Sequence, residues 1–434
     1  MKKIFQYIIL AVVTIVMASC TSDIEETTAT TGKSNVQLVV GEFPAFGDSQ
    51  TRAIGTPDEG KTSWAEGDEL FLEMTSKTFG TKYATFKYNG SNWELASGEL
   101  SYKEDEVPTF PHVYYAPNYK WEAGELVLKE GKVAGTDEYI EGKANITPNG
   151  EAITVKFAEA TRNYSRLRIA TMPNKPITVS INKYTPAGSS DMKWDQNYAL
   201  TSDEKGNAYL YGTFENNSEV TVKYREAALT THTFSQATES AKSYALDATV
   251  VSLTDEDITY DQIVEDVKKE LDAGKTYINL ILAPDADEET LDAINIGLQD
   301  ARYGSINLTL IGCKKIPSGG FMYWKMLKSI ALPDVTEIAE KAFLDCTRLQ
   351  KVVLGNLTKV YGKAGEKGIF EGCRTKDIDL ILSKDQKVMN GGKTEGGYCW
   401  TADITKDYSG SDEHNGRVFL NYDFQSITCD YQVP

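Results

Sequence analysis

The sequence predicts a mainly β chain with a smaller α/β part: two β-sandwich domains followed by a short solenoid of stacked repeats. Strand-like alternation recurs between turn residues from Asn35 to about Thr249, without helical stretches, and this pattern is typical of sandwiches. From Leu308 onward an internal repeat has a period of 22 residues, which indicates stacked units. A chain of 434 residues is long enough for two or three domains.

The first residues have the pattern of a bacterial lipoprotein leader. Two lysines precede an apolar run, Tyr7–Met17, and small residues then precede Cys20. The run is shorter than the roughly 20 residues that a bilayer span needs. We interpret 1–19 as a lipoprotein signal peptide, Cys20 as the lipidation site and 20–34 as a flexible tether. The alternative is an ordinary signal peptide with a chance cysteine.

The segment after Cys20 has three acidic residues among its first six and resembles the export signal of surface-exposed lipoproteins in bacteria of the Bacteroides type. This resemblance implies a lipid-anchored outer-membrane protein that is displayed on the cell surface or on fimbriae. The formal net charge is −18, so nucleic acid is a poor candidate partner.

The six cysteines suggest no zinc site, because the chain contains no CxxC pair. Three of them, Cys313, Cys346 and Cys373, fall inside the repeat and are expected to be small core residues. Cys399 and Cys429 could form a disulfide in an oxidising compartment, but the sequence does not place their Cα atoms.

The amino-terminal half contains short strands separated by turns. Leu70 and Leu72 belong to one such strand, and an Asn-Gly pair at Asn89 and Gly90 separates two alternating segments, which predicts a hairpin. About 215 residues are long for one sandwich. We therefore predict one β-sandwich over 35–165 and a second over 166–252.

Three stretches in order, SQTRAIGTPDEGKTSWAEGDELFL, ATFKYNGSNWEL and FPHVYYAPNY, resemble the fimbrillin family, the subunits of type V pili. ITVKFAEATRNYSRLRIA resembles the junction between the two fimbrillin domains, and AKSYALDATV resembles the closing strand. Fimbrillins usually have a histidine after the strand that ends here in Lys156 and Phe157. This chain lacks that histidine and has Glu159 nearby instead. The resemblance covers about half of the chain and implies transthyretin-like sandwiches.

The resemblance also implies processing and strand exchange. Fimbrillin precursors are trimmed after an arginine near the first strand, and here the matching residues are Arg52 and Ala53. Removal of the strand Val36–Val40 would open an edge that the strand of another fimbrillin subunit fills by β-augmentation. The alternative is an exposed arginine in a hairpin loop of a subunit that is never cut.

Helical periodicity appears after residue 255. Tyr260 to Leu271 predicts a helix that stops near Gly274, and Ile278 to Leu282 predicts a strand. The acidic run 285–289 is expected to cap and begin a second helix, since carboxylates favour the positive end of a helix dipole. A calcium site is the alternative reading of this run.

The repeat aligns five columns of residues. Leu308, Ile330 and Val352 form one column, and Phe321, Phe343 and the late Phe370 form another, offset by an insertion over 364–368. The unit LKSIALPDVTEIAEKAFLDCTRLQKVVL resembles the BspA-like leucine-rich repeat of bacterial surface proteins. We predict a leucine-rich-repeat domain with leading helices over 253–385 and cap strands over 386–434.

Alternation within the repeat strands predicts which side chains meet ligands. Ile330 and Leu332 are expected to point inward, and four neighbouring positions are expected to point to an open, ligand-facing surface. These four positions are Ser329, Ala331, Lys351 and Val353. That the open face binds partners is an analogy from the fold.

No catalytic, metal or cofactor site is predicted, because the three histidines lack motif partners and no GxSxG, HExxH or Walker loop occurs. Trp93 and Trp121 could stack on sugars, but a sandwich core is the preferred interpretation. The sequence thus favours a non-enzymatic cell-surface adhesion lipoprotein. It would be a fimbrial tip or accessory subunit that binds a host or bacterial surface protein or glycan. The alternative is a stand-alone surface lipoprotein that binds glycan or protein ligands outside any pilus.

Overall fold

The computed structural model describes most of the chain. The described ranges are 37–46, 61–103, 106–142, 144–146, 152–155, 162–360, 368–383, 393–394, 397–398, 418–419 and 422–431. Within them the protein is mainly β, with several sheets and two α-helices. Cys20, Arg52, Ala53 and Cys399, like 1–19 and 20–34, lie outside the described residues.

The first part of the chain contains ten strands. They are β1 Gln37–Val40, β2 Glu69–Ser76, β3 Gly80–Tyr88, β4 Trp93–Gly98, β5 Thr109–Tyr115, β6 Tyr119–Glu122, β7 Glu125–Leu128, β8 Ile140–Gly142, β9 Ala144–Ile146 and β10 Ala152–Val155. A five-stranded sheet has the order β4-β3-β2-β5-β8, and a three-stranded sheet has the order β1-β10-β9. Strand β1 is parallel to β10. Leu70, Leu72 and Phe86 are buried in the core of this part.

The Asn-Gly pair does connect two strands, β3 and β4, as predicted. Only Gly90 adopts a positive φ, of 93°. The side chain of Asn89 accepts hydrogen bonds from the backbone N–H groups of Ser91 and Asn92, at 3.0 and 2.8 Å. The turn is therefore closed by the Asn89 side chain, and of the pair only the glycine adopts the left-handed conformation.

The second part has seven strands. They are β11 Ser165–Ala170, β12 Pro176–Pro186, β13 Lys193–Thr201, β14 Asn207–Phe214, β15 Glu219–Tyr224, β16 Ala227–Thr233 and β17 Ser243–Asp247. Strand β12 pairs with β13 along most of its length, with β15 over residues 178–181 and with β14 at its end, so it joins two groups of strands. Alternate residues of β12, among them Ile177, Val179 and Ile181, are buried in one core, an arrangement consistent with a β-sandwich.

The third part combines helices with parallel strands. Its elements are β18 Val251–Leu253, α1 Tyr260–Asp272, β19 Tyr277–Leu282, α2 Glu288–Gly297, β20 Ile306–Ile311, β21 Lys315–Ile316, β22 Leu327–Leu332, β23 Glu337–Ile338, β24 Lys351–Leu354, β25 Lys359–Val360, β26 Asp379–Ser383, β27 Lys393–Thr394, β28 Gly397–Tyr398, β29 Val418–Phe419, β30 Tyr422–Asp423 and β31 Ser426–Tyr431. The seven strands β18-β19-β20-β22-β24-β26-β31 form one parallel sheet.

Both helices begin as their sequences predict. Thr259 caps α1 with a capping box that includes Gln262. Asp287 caps α2 by accepting the backbone N–H of Thr290 at 2.9 Å, and the hydrogen bonds of its carboxylate lower the pKa of Asp287. The acidic run therefore serves as a helix start, which confirms the first of its two interpretations.

Residues 22 apart lie side by side in this part. Leu308 pairs with Ile330, Ile330 pairs with Val352, and all three side chains are buried. The rings of Phe321, Phe343 and Phe370 stack, with centroid separations of 5.3 and 5.0 Å. The period seen in the sequence is therefore the spacing between residues that lie opposite each other on neighbouring strands.

Within the described residues, no helix has the length and apolar character needed to cross a membrane.

Candidate functional site

The predicted ligand-facing surface is largely covered. Ala331 and Val353 are 6% and 2% exposed, and they form one apolar cluster with Ala227 at the start of β16. Thr309, which pairs with Ala331 in the same column, is also buried. The expectation that Ala331 and Val353 face a ligand was wrong, because the second β part packs on this face of the parallel sheet.

Ser329 and Lys351 occupy the adjacent column and are half-buried. Ser329 donates a hydrogen bond from Oγ to Asn307 Oδ1 at 2.7 Å. Burial lowers the pKa of Lys351, and the positive charge of Lys223 in the second part lowers it further. This pair of positions thus lies at the border of the covered face.

Replacing Lys351 with methionine is expected to raise the free energy of unfolding at pH 7 by about 0.5 kcal/mol or more. A lysine whose folded pKa is depressed binds fewer protons when folded, so stability rises as the pH passes through the folded pKa toward the unfolded value of 10.5. Urea unfolding of both proteins at several alkaline pH values measures this. The rise should be smaller in Lys351→Met than in the parent, whereas the exposed control Lys205→Met should retain it.

Two isoleucines and an asparagine join the second and third parts. Ile311 belongs to the buried core of the second part, and Ile281 packs against it. Asn279, 3% exposed, donates from Nδ2 to the backbone oxygens of Leu229 and Thr249 at 2.9 and 3.2 Å. The contact therefore combines apolar burial with directed hydrogen bonds.

Asp334 is the electrostatic centre of the same contact. Its carboxylate forms an ion pair with Arg225 Nη1, and its Oδ2 accepts the backbone N–H of Gly312 at 2.9 Å. Its side chain is 10% exposed, against 20% for Arg225. One carboxylate thus connects the tight turn before β16 to the loop after β20.

Asp334→Ala is expected to lower the free energy of unfolding by about 1.5–3 kcal/mol, because it leaves both the guanidinium and the Gly312 N–H without their acceptor. Asp334→Asn retains an oxygen for the N–H and should cost less. Urea denaturation of the two variants compares them. Equal losses would mean that the hydrogen bond to Gly312 adds nothing.

A second buried cluster connects the first two parts. Arg162 binds Glu138 through two parallel hydrogen bonds, Nε to Oε2 at 3.0 Å and Nη2 to Oε1 at 3.1 Å. Tyr164 donates its hydroxyl to Glu138 Oε2 at 2.6 Å and accepts the N–H of Tyr139 at 3.0 Å. Burial lowers the pKa of Arg162, but the Glu138 charge raises it to above its usual value.

This cluster also binds the chain that follows β1. Arg162 Nη1 donates to the backbone oxygens of Pro44 and Ala45 at 2.9 and 3.2 Å. The guanidinium carbon lies 3.9 Å from the ring centroid of Phe46. Arg162 therefore anchors the segment 41–46, which links β1 to the stretch that contains Arg52.

A cleft of about 480 Å³ lies beside the Arg162 cluster, between the first and second parts. Tyr139 and Glu141 line one side, and Tyr164 and the turn 186–190 line the other. Trp93 and Trp121 do not line this cleft. The ring centroid of Trp93 lies 5.1 Å from that of Trp64, and the ring centroid of Trp121 lies 4.8 Å from that of Tyr83. The preferred core interpretation of these tryptophans agrees with this packing.

Two of the repeat cysteines lie in the core of the third part, and the half-buried Cys373 packs against it. Cys313 and Cys346 are buried, and Cys346 donates from Sγ to Phe321 O at 3.0 Å. A hydrogen bond with Cys373 and burial both raise the pKa of Cys346, so its thiolate is disfavoured. Over the described ranges no group of three or more His, Cys, Asp or Glu side chains is placed to hold a metal ion.

No protein-family model matches this chain, and no curated protein matches it. Among solved structures, a candidate cell adhesion protein from Bacteroides fragilis NCTC 9343 matches with a TM-score of 0.28 and 10% identity, over 50% of this chain and 93% of that one. GBS52, the minor pilin of Streptococcus agalactiae, matches with a TM-score of 0.17 and 11% identity, over 49% of this chain and 94% of that one. These scores are too low to establish a shared fold.

Proposed function

We propose that this protein is a non-enzymatic cell-surface adhesion lipoprotein, anchored in the outer membrane through Cys20, in which the third part is a leucine-rich-repeat binding domain. The observation that carries the proposal is the parallel sheet whose neighbouring strands pair residues 22 apart, such as Ser329 with Lys351. Coils of this kind expose their connecting turns along a continuous surface, which suits recognition of another molecule.

Within this proposal the protein is a fimbrial tip or accessory subunit. Strand β1 is four residues long and pairs with β10 alone among the described strands. If the chain were cut after Arg52 and β1 left, β10 would offer an unpaired edge to the strand of another fimbrillin subunit.

The Arg162 cluster favours the second candidate, a stand-alone surface lipoprotein that binds glycan or protein ligands outside any pilus. Arg162 binds the backbone of Pro44 and Ala45 and the ring of Phe46, so it opposes the departure of β1 even after a cut. An uncut protein would retain both β1 and its lipid.

Mass spectrometry of the amino terminus of surface material separates the two candidates. A terminus at Ala53 together with co-purified fimbrillins supports the fimbrial subunit, and a lipidated Cys20 on a protein without such partners supports the stand-alone form. Loss of adhesion in cells that lack the protein is expected for both. Unchanged adhesion of those cells to host and bacterial surfaces, or resistance of the protein to external protease on intact cells, would contradict the proposal.

A further inference from the structure

The second part covers most of one face of the parallel sheet, so a ligand of the repeats is expected to bind elsewhere. Among the described residues of the third part, the large exposed aromatic and apolar side chains lie on two turns, one before β20 and one before β22. Tyr303 is 73% exposed, Tyr323 55% and Met322 38%. Exposed aromatic side chains grouped in this way are characteristic of binding surfaces.

The turns that bear these side chains are adjacent. The backbone N–H of Gly304 donates to Lys325 O at 2.8 Å. A Cβ atom placed on Gly304 would lie 3.2 Å from Cβ of Arg348. The side chain of Arg348, which precedes β24, therefore lies beside the turn that contains Tyr303. We call the surface formed by Arg302, Tyr303, Tyr323, Lys325 and Arg348 the tyrosine–arginine patch.

The patch is positively charged in a strongly acidic protein. Arg302, Lys325 and Arg348 are exposed, and none of them belongs to an ion pair among the described residues. The nearby carboxylate of Asp300 is already 3.2 Å from Lys268. A local group of cations on a chain with a net charge of −18 marks a site that attracts anions.

The backbone supplies an independent argument. Two residues after each stacked phenylalanine the chain adopts a left-handed conformation, with φ of 67° at Tyr323, 56° at Asp345 and 73° at Gly372. Glycine and aspartate tolerate this conformation, but a bulky residue such as tyrosine is strained there. Because Tyr323 is also exposed, neither packing nor backbone preference explains it, and strained residues of this kind occur at functional sites.

We propose that the tyrosine–arginine patch binds an acidic polysaccharide. Tyrosine rings offer flat, weakly hydrated faces on which sugar rings lie, and they lose little conformational entropy on binding. Guanidinium groups form paired hydrogen bonds with carboxylate and sulfate groups. This inference rests on the proposed function and assigns to it a surface and a ligand class.

Binding is tested with the full-length protein and two defined polysaccharides, hyaluronan, which carries carboxylates alone, and chondroitin sulfate. Saturable binding to at least one, weakened by added salt, is expected, and the stronger of the two identifies the anionic group. Arg348→Glu should weaken binding about tenfold or more, since it reverses one of the three positive charges of the patch.

Tyr323→Gly is the more specific variant, because it removes the ring without straining the backbone. Gly372 already occupies the equivalent position, two residues after Phe370. The variant should weaken binding several-fold while the melting temperature stays the same or rises, which excludes unfolding as the cause. Lys205→Glu and Trp194→Ala are the matched controls, since both residues are exposed on the second part. Neither control should change the affinity.

Three results would overturn the inference. They are the absence of saturable binding at low salt, equal losses in Lys205→Glu and Arg348→Glu, and equally tight binding of polyglutamate, which would indicate an acidic protein partner. Adhesion of whole cells separates this inference from the proposed function. If cells carrying Arg348→Glu adhere normally while cells lacking the protein do not, only the polysaccharide assignment fails; if both adhere normally, the proposed function fails as well.

Discussion

Arg162→Ala is expected to lower the free energy of unfolding by about 3–5 kcal/mol. The side chains of Arg162 and Glu138 are 2% and 5% exposed, so removal of the cation leaves a buried carboxylate without its counter-charge. The same change deprives the backbone oxygens of Pro44 and Ala45 of their donor. Urea denaturation of parent and variant measures the loss.

A double-mutant cycle separates the ion pair from the other contacts of the arginine. Combining Arg162→Met with Glu138→Leu should cost less than the sum of the two single changes, by about 1–3 kcal/mol, because an apolar pair leaves no uncompensated charge. Lys129 and Glu69 form a control pair whose side chains are 35% and 30% exposed. Lys129→Ala should cost about 1 kcal/mol or less.

The cluster also has a local consequence for the segment 41–46. In Arg162→Ala this segment should become cleavable by low concentrations of protease before the whole protein unfolds, because its anchor is lost. Mass spectrometry of early fragments locates the cut. Protection of 41–46 equal to that in the parent would mean that Phe43, Phe46 and β1 hold the segment without the arginine.

Features that depend on neighbouring residues could be predicted from the sequence. Helix α1 follows from its apolar spacing and its cap at Thr259. The 22-residue period fixed which residues pair, because each coil repeats the same local geometry and places Leu308, Ile330 and Val352 in one buried column.

Features that depend on distant residues could not be predicted. Ala331 and Val353 alternate with buried residues as outward-facing positions should, yet Ala227 covers them. The periodicity of the repeat does not indicate that the second part packs on this face. Small apolar residues at both outward positions are the one local signal, since an open face more often carries polar side chains.

The Arg162 cluster was missed for the same reason. Arg162 and Pro44 are 118 residues apart in sequence, and Glu138 lies in a loop without regular alternation. The stretch that resembles a domain junction contains Arg162, and this is the only signal that marked the region. The burial of Arg162 depends on three segments that are distant in the sequence, so no local pattern predicts it.

Phe343→Ala is expected to lower the free energy of unfolding of the repeat part by about 3–5 kcal/mol. Its ring is fully buried between Phe321 and Phe370, so the variant opens a cavity that both neighbours border. Phe343→Leu should cost less because it fills more of that space. Tyr303→Ala, at an exposed position, should change stability by about 0.5 kcal/mol or less.

The distribution of this loss tests how the coils depend on one another. In stacked repeats each unit is stabilised mainly by its neighbours, so a cavity in the middle coil should weaken the coils on both sides. Hydrogen exchange should therefore rise in β22, β24 and β26 of Phe343→Ala, while β12 and β14 of the second part stay protected. A rise confined to β24 would show that each coil is held by its own contacts. In that case the 22-residue period would describe the geometry of the repeats but not a dependence of each repeat on its neighbours for stability.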